Sequence, residues 1–258
     1  MKKSLKILSL VLSFSLLFIA CTKDDPAGMD EMRDKAKLVF INATVNNSTV
    51  PGEALREVGI YPVYNGLNFN NHPIQYPWTN GYKAFDPGTL NLKLDTCFSP
   101  GTNPPSLDRA TVKDLSLQVE ADSYYSLFSV GTIYAVDTFF IRDDLSFPSS
   151  GKAKILFLNL SIDAGPIDIV NAVTGEVVAA NISYKDRRGY VEVNPGNYRY
   201  QINAAGTSTV LRAARDLIID ANSVYTVWAR GLRTIPAPGS TLANHQLQLS
   251  YHANRWTY

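Results

Sequence analysis

Cysteine and histidine are nearly absent from this chain, and with them goes the commonest route to a metal centre. The 258 residues include two cysteines, Cys21 and Cys97, and three histidines, His72, His245 and His252. None of them has an HxxxH, HExxH or CxxC spacing, so no metal ligand set and no cofactor is expected. A charge surplus is missing too. Lysine and arginine total 24 against 23 acidic residues, a net charge of +1, which leaves no basic footprint for a nucleic acid partner. The apolar stretch Ile7–Ile19 stops short of the roughly 20 residues that a membrane-spanning helix needs. GxSxG and GxxxxGK(S/T) are absent, and GKAK at Gly151–Lys154 lacks both the hydroxyl residue and the upstream glycine. Asp143 and Asp144 could supply paired carboxylates for glycoside hydrolysis. Neighbours on a strand point to opposite faces, however, so the pair reads as a polar turn closing a strand. No catalytic residue is expected, and a hydrolase at the cell surface is the weaker competing class. With 45% hydrophobic and 18% charged residues, the chain is neither disordered nor a multi-pass membrane protein.

What is present begins with an address. Lys2, Lys3 and Lys6 precede the short apolar stretch, and Ala20 precedes Cys21, the layout of an export signal over residues 1–20. Phe18-Ile19-Ala20-Cys21 resembles the lipobox of bacterial lipoproteins, which implies acylation at Cys21 and attachment to a membrane. Several acyl chains, at about 0.8 kcal/mol per buried CH2, hold a protein firmly. Thr22-Lys23-Asp24-Asp25 resembles the surface-export signal of Bacteroidota lipoproteins, with Lys23, Asp24 and Asp25 carrying it. The implied location is the outer membrane, facing the exterior. Residues 21–35 are too polar to pack and read as a tether. Loss of residues 1–20 removes three lysines, leaving 21 basic against 23 acidic residues, or −2.

The body contains an internal repeat. Ala36-Lys37-Leu38-Val39-Phe40-Ile41-Asn42 recurs as Ala153-Lys154-Ile155-Leu156-Phe157-Leu158-Asn159. Ile74, Tyr76, Gly81, Tyr82, Pro87 and Gly88 align without a gap on Ile182, Tyr184, Gly189, Tyr190, Pro195 and Gly196. Val119–Gly131 matches Ile219–Gly231. Two tandem units are therefore expected at 36–150 and 151–258, joined at Pro148–Gly151. Tyr198, Tyr200 and Ile202 alternate with polar neighbours, as in a half-buried strand, and Asn194-Pro195-Gly196-Asn197 is a turn. Val224–Trp228, β-branched and aromatic, suits a central strand. No helical period is sustained beyond the export signal. The expected fold is all-β: two tandem Ig-like antiparallel sandwiches.

These segments, AK(L/I)xFxN, YxxxxGYxxxxPG and Ala-x-Ser-x-Tyr, resemble the bacterial repeat family known as domain of unknown function 4397. The likeness runs over nearly all of residues 36–258 and implies Ig-like sandwiches on exported proteins. It brings no catalytic residues.

One segment departs from the repeat. Tyr61–Tyr82 interleaves Tyr61, Tyr64, Phe69, Tyr76 and Trp78 with Asn65, Asn68, Asn70, Asn71, Gln75 and Asn80. Flat rings cover the C–H faces of pyranoses and amides bond their hydroxyls, so Trp78, Tyr61, Tyr64 and Asn80 are candidate ligand contacts. Tyr76 and Tyr82 recur in the second copy and are expected to serve the fold; Trp78 does not, because Asp186 stands in its place. Cys97 has no partner for a disulfide and is expected to pack. The expected function is a non-catalytic surface lipoprotein acting in binding, adhesion or assembly. Its specific version is an accessory glycan-binding lipoprotein of a polysaccharide-uptake system. The partners are then the membrane, through Cys21, and a glycan or another surface protein.

Overall fold

The computed structural model of the protein describes residues 33–47, 57–97, 109–234 and 245–255. Cys21, Lys23, Asp24 and Asp25 lie outside the described residues.

Period-two burial explains the outer strands. In β6 (Gly88–Thr96), Leu90, Leu92 and Leu94 are buried while Asn91 and Lys93 are exposed. In β14 (Gly196–Ala204), Tyr200 and Ile202 point inward and Arg199 outward. Each forms an outer sheet with its neighbours. The first has the order β3 (Leu67–Asn68), β2 (Gly59–Tyr64), β6, β7 (Ala110–Val119), with β4 (Ile74–Gln75) also on β2. The second has the order β12 (Val177–Ile182), β11 (Ile167–Asn171), β14, β15 (Val210–Ile219).

The inner sheets follow the same plan. One runs β5 (Lys83–Phe85), β1 (Ala36–Asn42), β8 (Tyr124–Thr132), β9 (Ala135–Asp143); the other runs β13 (Asp186–Val193), β10 (Ala153–Asn159), β16 (Val224–Arg230), β17 (Gln248–Arg255). Most pairs are antiparallel, as expected, but β1–β8 and β10–β16 are parallel. Between β1 and β8, and again between β10 and β16, the chain travels through the outer sheet, and a long crossover of this kind is what a parallel pair requires. Among the described residues no ladder joins a strand of 36–143 to one of 153–255.

Three hydrophobic layers result. Leu38 and Phe40 face the first outer sheet, and Ile155 and Phe157 face the second. The alternate residues Val39, Ile41, Leu156 and Leu158 meet Phe128, Val130 and Trp228 in a third layer between the two inner sheets. Trp228 packs edge-on against Phe128 at 5.8 Å. β1, β8, β10 and β16 are thus covered on both faces, which is why their sequences run continuously apolar instead of alternating. Each large side chain in the shared layer contributes ~1.5–3 kcal/mol, so the halves meet through a core and not through a linker alone.

Candidate functional site

The segment after β4 is held to both halves of the molecule. Tyr76 N–H donates to Val58 O (2.9 Å), Trp78 N–H to Gln75 O (2.7 Å), and Asn42 N–H to Trp78 O (3.0 Å). The Tyr76 side chain turns inward, 4% exposed. It stacks on His245 at 4.3 Å and 11°, and its hydroxyl accepts a hydrogen bond from Arg230 Nη1 at 2.8 Å. The Arg230 guanidinium also lies 4.8 Å from the ring centroid. With its backbone pinned and Tyr76 clamped, the segment turns Trp78 outward, 69% exposed.

Trp78 forms one wall of a cleft of about 440 Å³ between the halves. Arg215 and Tyr251 from the second half also line it, and Trp228 and His252 contribute to its base. Arg215 lies over Tyr251, 5.8 Å from the ring centroid, and donates through Nη1 to Leu249 O at 2.8 Å. Trp228 Nε1 and His252 Nε2 are buried without a hydrogen-bond partner. Exposed rings beside polar groups in a concave site suit a ligand that offers both C–H faces and hydroxyls.

The other residues predicted from sequence lie elsewhere. Tyr61 sits under the Arg109 guanidinium (4.1 Å to the centroid), and Tyr64 packs edge-on against Phe85 at 5.2 Å. Asn80 Oδ1 accepts Phe40 N–H at 2.8 Å, so that amide secures β1. Neither tyrosine nor Asn80 lines the cleft with Trp78. Cys97 is a free thiol packed against the first core. Sequence reasoning missed Tyr251 and Arg215. Neither carries a local signal, since only the packing of the halves brings them beside Trp78. Among the described residues, no group of three or more His, Cys, Asp or Glu side chains is placed to hold a metal ion.

A second cleft, of about 760 Å³, includes Arg142, Asp143, Asp144, Arg187, Asn254 and Arg255. The two carboxyls have opposite environments. Burial pushes Asp143 up to about 6, against hydrogen bonds from Ser126 and Tyr82 and the charge of Arg187. Asp144 also loses solvent, but hydrogen bonds from Lys154 and Ser146 overrule this and hold it at about 2. His245 and His252 are depressed to about 4, chiefly by burial, with Arg230 adding to the effect on His245.

These shifts set opposing pH dependences. A histidine neutral down to about 4 when folded but titrating at 6.5 when unfolded stabilises above 6.5 and loses that contribution as pH falls toward 4. Asp143, protonated up to about 6 when folded but only to 3.8 when unfolded, stabilises below about 4 and loses its contribution as pH rises through 6. Two histidines oppose one aspartate, so the melting temperature should fall on acidification from pH 6.5 to 4. Asp143→Asn, which keeps an acceptor for Tyr82 and Ser126, should steepen that fall and raise stability at pH 7. Thermal melts at stepped pH test this, and a wild-type melting temperature that climbs steadily toward pH 4 would contradict it.

Comparison with known proteins gives a partial family match. Residues 57–170 match the family model described as domain of unknown function DUF4397. The match covers less than half of the chain, against the near-complete likeness expected from the repeats, and runs from just before β2 into β11, out of phase with the sheet pairs. Among curated proteins, none matches the sequence. Similar solved structures include the C-terminal domain of AlgF from P. aeruginosa, at 16% identity over 40% of this chain and 98% of that one, TM-score 0.29. The Bacillus anthracis TIE protein is 10% identical over 76% of this chain and 34% of that one, TM-score 0.24. A candidate cell adhesion protein from Bacteroides uniformis is 11% identical over 87% of this chain and 100% of that one, TM-score 0.22.

Proposed function

We propose that this chain is a non-catalytic binding lipoprotein of the bacterial outer surface, of Bacteroidota type. It is built from two duplicated Ig-like units and captures glycans in the Trp78 cleft. The observation that carries the reading is the display of Trp78. A tryptophan 69% exposed, its backbone hydrogen-bonded to Gln75 and Asn42 and lining one cleft with the exposed ring of Tyr251, is preorganised for stacking and loses little entropy on binding.

Matching registers support the duplication. Leu38 pairs with Tyr125 and Ile155 with Tyr225, while Gly88 pairs with Val119 and Gly196 with Ile219. The hydroxyls of Tyr125 and Tyr225 accept the N–H of Glu120 and Asp220, each five residues back. The export-signal layout and the lipobox-like residues before Cys21 support the address.

Two experiments test the reading. Cys21→Ser should give an unprocessed precursor without acyl label, and labelling that persists would remove the anchor. For recognition, the detergent-solubilised protein is screened on a glycan array and any hit titrated against Trp78→Ala. The variant should lose ~1–3 kcal/mol of affinity while its melting temperature barely moves. No hit on the array, or a variant that melts far below the wild type, would overturn glycan capture.

A further inference from the structure

We infer that the Trp78 cleft selects acidic sugars, the ligand's carboxylate or sulfate meeting Arg215 while its ring stacks on Trp78 and Tyr251. This rests on the proposed reading of the cleft as a glycan site and adds the charge of the ligand to it.

The arginines of this chain are neutralised in two ways. Arg109, Arg142, Arg188 and Arg199 pair with Asp95, Glu120, Asp186 and Asp216. Among the described residues Arg187, Arg212, Arg215 and Arg255 have no such pair, and of these Arg215 lines the Trp78 cleft. Arg212 Nη1 donates to Gln246 Oε1 at 3.2 Å and Arg215 Nη1 to Leu249 O at 2.8 Å. Both acceptors are neutral, and neither arginine has a carboxylate partner among the described residues. Both also lie close enough to Arg230 to add to the lowering of its pKa, of which burial is the first cause. Three guanidiniums therefore gather on one side of the second half, and Arg215 is the one exposed in the adjoining cleft.

Arg215 is placed to take that anion. It is an exposed residue lining the cleft. The carbonyl of Leu249 occupies one of its nitrogens, and a planar guanidinium with N–H groups to spare binds a carboxylate or sulfate in a fork. The position over Tyr251 holds the fork beside the ring on which a sugar would stack. Arg230 also lines the cleft but is buried and donates to Ser250 and Tyr76, and Glu57 on the first half is the acid of the lining. The Glu57 carboxylate repels an anion, and Arg215 is the exposed cation that attracts it. His252 is neutral above about pH 4 and adds no charge.

The test uses the detergent-solubilised full chain and oligogalacturonides as the acidic probe, with their methyl esters as a neutral match of the same ring and linkage. Chondroitin sulfate oligosaccharides form a third arm, which separates sulfate from carboxylate. By calorimetry, at least one acidic probe should bind at least ~10-fold more tightly than the neutral match, and the advantage should shrink with added salt. Arg215→Gln should abolish the preference, leaving the acidic and neutral probes with equal affinity for the variant. Glu57→Gln should strengthen acidic binding, and Trp78→Ala should weaken acidic and neutral sugars together. Equal affinity for acidic and neutral sugars, or a preference that survives Arg215→Gln, overturns the inference while leaving glycan capture standing. Absence of every glycan from the cleft, on the array as well as here, overturns both.

Discussion

Asn42→Ala should cost ~4 kcal/mol of stability, lowering the melting temperature by on the order of 10 °C for a chain of this size. The side chain has no solvent exposure and uses both ends. Its Nδ2 donates to Val58 O and Ile74 O, each at 2.8 Å, while Oδ1 accepts Thr44 N–H and Ser129 Oγ–H, each at 3.1 Å. These bonds tie β1 to the ends of β2 and β4 and to β8. Truncation removes four buried hydrogen bonds; Val58 O keeps the Tyr76 N–H, and each group left unsatisfied costs about 1–3 kcal/mol before relaxation. Asn159 occupies the matching place, donating to Gly165 O at 2.9 Å and Ile182 O at 3.0 Å and accepting Ser161 N–H at 3.1 Å. With fewer partners to orphan, Asn159→Ala should cost somewhat less. Asn42→Asp supplies a second signature, because an ionised carboxylate cannot donate to two carbonyls. Its deficit should exceed that of the alanine variant at pH 7 and shrink as the carboxyl takes up a proton. Denaturant titrations measure all three, and a loss under about 1 kcal/mol for Asn42→Ala would show that the network is not what holds β1.

Gly231→Ala should be comparably severe, and for a different reason. Gly231 has φ +88, where an L side chain is strained by ~1–2 kcal/mol. Its Cβ would also stand 2.2 Å from Gln246 O and 2.7 Å from His245 O. Both obstacles are backbone, so the 245–247 segment must move. His245 is the ring stacked on Tyr76, and displacing it loosens the clamp between the halves. A total loss above ~3 kcal/mol is expected, combining strain with overpacking. Gly151→Ala is the control, with φ +75 and nothing within 4 Å of the added Cβ. It should show the strain alone, ~1–2 kcal/mol. Equal losses at the two glycines would mean that the close approach at Gln246 is not felt.

Both sites were visible in the sequence as repeated positions, though not their tasks. Asn42 and Asn159 end the AKxxFxN segments, and Gly131 and Gly231 end the later ones. The repetition marked them as serving the fold because a duplicated core needs the same buried polar bonds and the same tight turns twice. Tyr76 shows the limit of that reasoning. It aligns with Tyr184, yet Tyr76 inserts between Arg230 and His245 of the other half, whereas burial and the charge of Asp137 raise Tyr184 to about 12. Residues that match in sequence meet different neighbours once two units pack face to face.

By itself the sequence determined the local matters: strand class from period-two alternation, turns from Pro-Gly and Asn-Pro, and a central strand at Val224–Trp228 from its β-branched and aromatic residues. These follow from covalent geometry and solvent exposure over a few residues. Tertiary structure decided what depends on distant partners. It made β1–β8 and β10–β16 parallel, closed a third core between the inner sheets, and raised Asp143 by burying it. It also divided the candidate contacts, sending Tyr61, Tyr64 and Asn80 to structural duties and bringing Tyr251 and Arg215 to Trp78. A cleft between two halves has no local signature, because each wall is an ordinary strand edge until the other arrives.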